Sequence, residues 1–288
     1  MVVPLAPGGS VDIVARMVAA RLAVEFGQQF VVDNRTGAGG TIGAAIVARA
    51  APDGYTVIVM SSGYSASAAL YKLPYDSIKD IAPIAMIAAG PMLLAVHPTV
   101  KATRLKEFIE LARAKSGSLN YGSGGTGSST HLATELFQQM AKTAMTHIPY
   151  KGIGAAITDL LSGQIQVYFA PGPAVLPHVA ADRLRIIAVT GEQRSPAMPD
   201  LPAIGELVPG YSATFWYGMG APAGTPKEIV SRLNQALARI LKQSSVQERL
   251  RADGLEPAHS TPEEFARLIA RDIAMWSKVV KIGNIKVD

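Results

Sequence analysis

Cysteine is absent from all 288 residues, which removes thiol nucleophiles, thiolate metal sites and disulfide frameworks together. Its absence also fits an oxidising compartment. Charge is scarce, with Asp, Glu, Lys and Arg making up 17% of the chain, and the mean hydropathy is +0.22, so much of the helical material is expected to be buried. Aromatic residues are few and the Lys and Arg residues are dispersed. No basic stripe interleaved with rings therefore offers a nucleic-acid surface. Arg232, Arg239, Lys242, Arg249 and Arg251 read as a solvated helical face. The net charge of +5 favours acidic ligands only as a whole-molecule field that salt screens. No unbroken apolar run is long enough to cross a bilayer: Ile81 to Val96 is interrupted by Pro83, Gly90 and Pro91 and reads as a strand, a turn and a second strand.

Several catalytic signatures are missing too. No Gly-x-Ser-x-Gly occurs, so a serine nucleophile on a sharp strand-to-helix turn is not indicated. His97, His131, His147, His178 and His259 show no metal-ligand spacing. Glu263 with Glu264, and Asp76 with Asp80, fall in surface segments rather than as an acid/base pair. Gly122-x-Gly124-x-x-Gly127 matches the dinucleotide fingerprint, but Ala141 to Gly152 holds no acid to grip ribose hydroxyls. Ser128 stands where a phosphate-binding lysine would be. No cofactor is expected.

What is present is a set of Gly/Ser loops at strand ends. Leu119 to Ser123 leads into Gly124-Gly125-Thr126-Gly127-Ser128 and then a helix from Ser129. Glycines let a ligand approach the unpaired amides of a helix's first turn, and hydroxyls add donors, so the loop suits an anion. At the chain start, Val2 to Leu5 runs into Ala6-Pro7-Gly8-Gly9-Ser10, followed by Val11, Val14, Ala15, Val18 and Leu22 at helical spacing. Ser10 is the expected N-cap, with Asp12 in the first turn where an acid is favoured by the macrodipole. A third loop, Ser61-Ser62-Gly63-Tyr64, ends the apolar stretch Tyr55 to Met60. His131, three residues after Ser128, reads as a histidine that caps or packs. Two similar loops suggest one ligand held between two similar lobes.

Alternation along the chain predicts an α/β fold. Strands are expected over 30–33, 55–60, 145–148, 165–169 and 184–189. Helices are expected over 41–51 and 129–141, around Ile153 to Leu161, and near 175–181. Residues 195–209 read as an irregular connection. Beyond Pro226 the pattern is helical, with no strand expected before the tail.

The motifs together resemble one family, the periplasmic substrate-binding proteins of tripartite tricarboxylate transporters, often called the Bug family. The residues that carry this resemblance span the chain: Val3-Pro4-Leu5-Ala6-Pro7-Gly8-Gly9-Ser10-Val11-Asp12, Pro52-Asp53-Gly54-Tyr55-Thr56, Tyr121-Gly122-Ser123 through His131-Leu132-Ala133, Ile148-Pro149-Tyr150-Lys151-Gly152, Leu176-Pro177-His178-Val179, Trp216-Tyr217-Gly218, Ala221 to Pro226, and Ser260-Thr261-Pro262-Glu263-Glu264-Phe265. The resemblance implies a two-lobed, type II periplasmic-binding-protein-like fold, each lobe a mixed sheet flanked by helices, with a ligand cleft between lobes. Lobe 1 would comprise 1–99 plus 220–288 and lobe 2 100–219, with hinge strands near 97–102 and 216–222. It further implies a non-enzymatic, monomeric solute-binding protein of the periplasm that captures a small organic carboxylate and delivers it to the membrane permease subunits of a tripartite transporter. The chain begins inside an apolar strand, and a targeting segment removed upstream of it is expected.

By position, the ligand-binding residues are Ala6, Gly8, Gly9, Ser10 and Asp12, then Ser61, Ser62, Gly63 and Tyr64, then Ser123, Gly125, Thr126, Gly127 and Ser128, with Ala170 and Pro171 after the strand ending at Phe169. Relatives often carry an acidic or amide pair where this chain has Ala170-Pro171. That departure predicts a carboxylate with an apolar or aromatic body rather than an amino acid. Two alternatives stay open at this point: a nucleotide-dependent enzyme using the Gly122–Gly127 loop, and a sensory binding protein presenting its ligand to a receptor.

Overall fold

The computed structural model describes residues 1–114 and 117–286. In chain order the elements are β1 (Val2–Val3), α1 (Ser10–Phe26), β2 (Asp33–Asn34), α2 (Thr41–Ala48), β3 (Ile58–Ser61), α3 (Gly63–Leu70), β4 (Ile81–Val96), α4 (Leu105–Ala114), β5 (Asn120–Ser123) and α5 (Ser129–Ala141). There follow β6 (Thr146–Pro149), α6 (Ile153–Ser162), β7 (Val167–Pro171), α7 (Gly172–Val179), β8 (Arg185–Val189), β9 (Thr214–Pro222), α8 (Lys227–Ile240), α9 (Ser244–Ala252), β10 (Glu256–Pro257) and α10 (Pro262–Ile282). They divide into two compact units, 1–89 with 216–252 and 256–278, and 90–215 with 253–255 and 279–288. The chain crosses from one to the other between Ala89 and Gly90, inside β4, and returns between Phe215 and Trp216, near the start of β9.

In the first unit the strand order is β2-β1-β3-β9-β4, with β10 added to β4. β1 pairs in parallel with β2 and β3, and β9 runs antiparallel to β3. The sheet is mixed, as expected. Helix α1 follows from its apolar period: Val11, Val14, Ala15, Val18, Ala19 and Leu22 form one buried face, and Gly27 ends the helix in the left-handed conformation. Trp216 stands edge-on to Phe265 at 5.2 Å, within a cluster that includes Val47, Ile58, Met60 and Ile269.

The second unit is also a mixed sheet. β5 lies between β6 and β7, parallel to both; β7 and β8 each pair antiparallel with β4. Leu93, Ala156, Leu160, Ile165, Tyr168 and Val189 anchor its core, and the rings of Phe108, Phe137, Phe169 and Tyr211 form a chain of aromatic contacts.

Three expectations about elements need correction. Residues 81–96 are one strand rather than two with a turn. Gly90 is there because any Cβ would come within 2.8 Å of the Gly254 carbonyl oxygen, so it permits close backbone approach instead of a reversal. The helical C-terminal region does contain a strand, β10, paired through Glu256 with Ala89 and through Pro257 with Ala88; two residues carry too little periodicity to be read from sequence. The strand expected over 30–33 forms at Asp33–Asn34 instead, with Val31 71% exposed. Other boundaries shift by one to three residues, and most of 195–209 is irregular apart from a short 3-10 turn at Ile204–Glu206.

Candidate functional site

Because β1 and β3 are parallel neighbours, the loops that follow them leave the same sheet edge of the first unit. The same logic gathers the ends of β5, β6 and β7 in the second. Carboxyl ends of parallel strands are where open α/β sheets place ligands. Each unit thus collects its own share of the predicted residues at one edge.

In the first unit the loop after β1 is braced by Asp12. Its Oδ2 accepts the Gly8 amide at 2.9 Å and Arg16 Nε at 2.9 Å, and its Oδ1 accepts Asn34 Nδ2 at 3.0 Å. Asn34 Nδ2 also donates to the Leu5 carbonyl. Burial alone would raise the Asp12 pKa, but Arg16, the Gly8 amide and Asn34 together hold it below the ordinary carboxylate value. Gly8 adopts φ +74°, which a side chain would strain. Ser10 is not the N-cap. Gly9 occupies that place with extended backbone, and Ser10 becomes the first helical residue, its buried Oγ having no hydrogen-bond partner among the described residues. No side chain caps α1; Asp12 instead ties the helix's first turn to the preceding loop by accepting the amide of Gly8. Ala6, Gly8 and Gly9 remain open to solvent, wholly or in part.

At the end of β3, the Ser62 amide donates to the Trp216 carbonyl. The hydroxyls of Ser62 and Ser65 are buried with no hydrogen-bond partner among the described residues. Tyr64 donates to the Ser77 carbonyl at 2.7 Å and stacks on Tyr75; burial pushes its phenol well above the ordinary value. Ser61, Gly63 and Tyr64 line a cavity of about 20 Å³ together with Pro4, Leu5 and Gly39. That is room for roughly one water.

In the second unit the loop Ser123–Ser128 is organised from within. The Gly124 amide donates to Thr130 Oγ1 at 2.9 Å, the Gly125 amide to Ser123 Oγ at 3.1 Å, the Gly127 amide to His131 Nδ1 at 3.0 Å, and the Ser128 amide to the Gly125 carbonyl at 3.1 Å. Ser128 is the N-cap of α5, its Oγ accepting the His131 amide. The amides of Gly125 and Gly127, both expected ligand-binding residues, and that of Gly124 are therefore already engaged. What the loop leaves at the head of α5 is the first turn itself, where the amides of Ser129 and Thr130 have no carbonyl partner in the helix. Thr126 is half-buried at the loop.

Behind this loop lies a stack that the sequence did not disclose. The His131 and His147 rings are parallel within 8° at 3.9 Å, and Tyr121 stacks on His147 at 4.9 Å. His147 Nε2 lies 2.6 Å from Ser123 Oγ, and Tyr121 donates to Glu135. A backbone amide can only donate, so His131 Nδ1 is unprotonated. Burial lowers the His131 pKa to about 3, helped by His147, and lowers that of His147 to about 4. His131 thus both packs and braces, while the position of His147 comes from the parallel pairing of β5 with β6, which sets Tyr121 opposite it. The available signal was the spacing from Gly127 to His131, four residues across a helix start, identical to that from Gly8 to Asp12.

Ala170 and Pro171 end β7 opposite Leu93 and Met92. Ala170 is fully buried in the second unit's core, so its side chain faces sheet packing rather than a ligand.

Residues 14–285 match the family described as tripartite tricarboxylate transporter family receptor. BugT of Bordetella pertussis is 37% identical over 291 residues, covering 100% of this chain and 89% of that protein. Among solved structures, Rpa4515 of R. palustris with adipate superposes with a TM-score of 0.93 at 39% identity, covering 99% of this chain and 97% of that one. MatC of Rhodopseudomonas palustris with bound malate gives 0.88 at 34% identity, with 97% of each chain covered. The chain belongs to the tripartite tricarboxylate transporter receptor family, with the two-unit α/β fold of its solved members.

Proposed function

We propose that this protein is a non-enzymatic periplasmic receptor that captures a small organic carboxylate and passes it to the permease subunits of a tripartite transporter. The observation that carries this reading is the likeness, over nearly the whole chain, to a structure holding adipate, together with two strand-to-helix loops that lead into α1 and α5 and contain neither Lys nor Arg. A carboxylate suits such loops because helix N-termini offer amide donors and a positive field without a bulky cation. Gly8, Gly9 and Ser10, and the loop Ser123–Ser128, are the proposed contact regions, with Ser61 to Tyr64 beside the first. The nucleotide alternative loses its footing because the amides of Gly124, Gly125 and Gly127 are bonded inside the loop.

The preferred ligand is a dicarboxylate or aromatic acid rather than an α-amino acid. An ammonium group wants an uncommitted acid, and Asp12 is committed to Gly8, Arg16 and Asn34. The test is a thermal-shift screen of the purified, ligand-stripped protein against adipate, malate, aromatic acids, aspartate and ATP. A ligand at 100 times its dissociation constant stabilises the native state by about 2.7 kcal/mol. Stabilisation by adipate or another carboxylate, without response to ATP, is expected; stabilisation by ATP alone would refute the reading, and tight binding of aspartate would refute the preferred class.

A further inference from the structure

We infer that His131 is a positioning residue of the carboxylate site: its Nδ1 fixes the glycine loop so that α5 meets the anion with an unneutralised N-terminus. This rests on the carboxylate reading above. The argument begins with a likeness between the two units. Gly8 and Gly127 have φ of +74° and +75°, and each donates its amide to the side chain four residues on, in the first turn of the following helix. The device is the same and the acceptor differs. Asp12 is an anion whose charge is met by Arg16 and by the amide group of Asn34. Among the described residues no cation is paired with His131; its ring faces His147 and Tyr121, with Glu135 Oε1 3.9 Å from Nε2.

An acid at 131 would therefore bury an unmatched charge and place it at the head of α5, where it would oppose a bound carboxylate. A neutral imidazole supplies the acceptor that the buried Gly127 amide needs without that charge. Nδ1 is the required atom, since Nε2 points to Glu135. The His147 ring stacks directly on that of His131 and its Nε2 holds Ser123 Oγ, so the two histidines hold the start and the end of the turn.

This assignment separates His131→Asn from His131→Gln. The Asn amide oxygen reaches the Nδ1 position, whereas the Gln amide group reaches the Nε2 position. Leaving the Gly127 amide buried and unpaired costs a factor of roughly 5 to 150. In the full chain, exchange of the Gly127 amide is measured by NMR, and adipate and malate affinities by calorimetry. His131→Asn is expected to keep Gly127 protected and affinity within about threefold of wild type, while His131→Gln loses roughly tenfold or more in both. His131→Asp is expected to keep the loop closed and weaken carboxylate binding, most at low salt. Equal protection and equal affinity in the Asn and Gln variants would overturn the inference. If the wild-type protein bound no carboxylate, the functional reading would fail, and the exchange contrast would still decide whether His131 holds the loop.

Discussion

Acidification from pH 7 to pH 5 should act on this protein through two rings. A histidine in the unfolded chain titrates at 6.5, whereas His131 and His147 titrate near 3 and near 4 when folded. The unfolded state then binds more protons, so stability rises with pH across this window and is lost as pH falls from 6.5 towards the folded values. At pH 5 both rings are still neutral in the native state, and protonating each one in the unfolded chain favours unfolding by about 2 kcal/mol relative to neutral pH. The two together come to about 4 kcal/mol, a large part of a typical stability of about 5–15 kcal/mol. The magnitude depends little on the exact folded values, because at pH 5 both lie below the solution pH. The assay is urea unfolding at pH 7 and pH 5 of the wild type and of the double variant His131→Asn with His147→Gln. The variant cannot bind those protons in either state, so its loss of stability between the two pH values should be smaller than the wild type's by about 3–4 kcal/mol. Parallel losses in the two proteins would refute the argument that these rings are held neutral by burial.

Other consequences concern the loops and the first unit's core. Asp12→Ala removes the acceptor for Gly8, Arg16 and Asn34 and should cost about 2–3 kcal/mol in chemical denaturation at pH 7; because the Asp12 pKa is lowered, the difference should shrink as pH falls through its folded value. Gly127→Ala forces a Cβ onto φ +75° and should cost roughly 1–2 kcal/mol, with weaker adipate binding in the same preparation; wild-type affinity would count against the loop's role. Trp216 donates Nε1–H to the buried Asp272 at 2.7 Å, so Trp216→Phe should destabilise by about 2–4 kcal/mol through the lost partner and the space left. Burial raises the Asp272 pKa despite that bond and Arg271. Asp272→Asn, which keeps an acceptor without the charge, should therefore leave Tm unchanged or higher at pH 7, its advantage shrinking at low pH; a Tm drop comparable to that of Trp216→Phe would contradict this.

Much of the architecture was legible because local chemistry repeats it. Helix α1 and helix α5 were readable from apolar spacing and from the Gly/Ser run before each. Ser10 was misread as a cap because Gly9 takes the extended cap conformation and Ser10 already lies inside the helix; the bond that ties Asp12 to Asn34, 22 residues further along, was not readable from local sequence either. Gly90-Pro91 was misread as a turn because the carbonyl of Gly254, far away in sequence, is what demands a glycine there.

The sequence by itself determined the α/β alternation, the absence of thiol and P-loop chemistry, and the two anion-suited loops, because each rests on residue type and on contacts within a few positions. Tertiary structure decided which atoms those loops leave for a ligand. Parallel pairing of β5 with β6 sets Tyr121 opposite His147, and helix α5 carries His131 back over its own glycine turn. Only when these elements close on one another does the Gly127 amide find its acceptor, and a hydrogen bond made that way leaves the first-turn amides of α5, rather than that of Gly127, without a partner inside the helix.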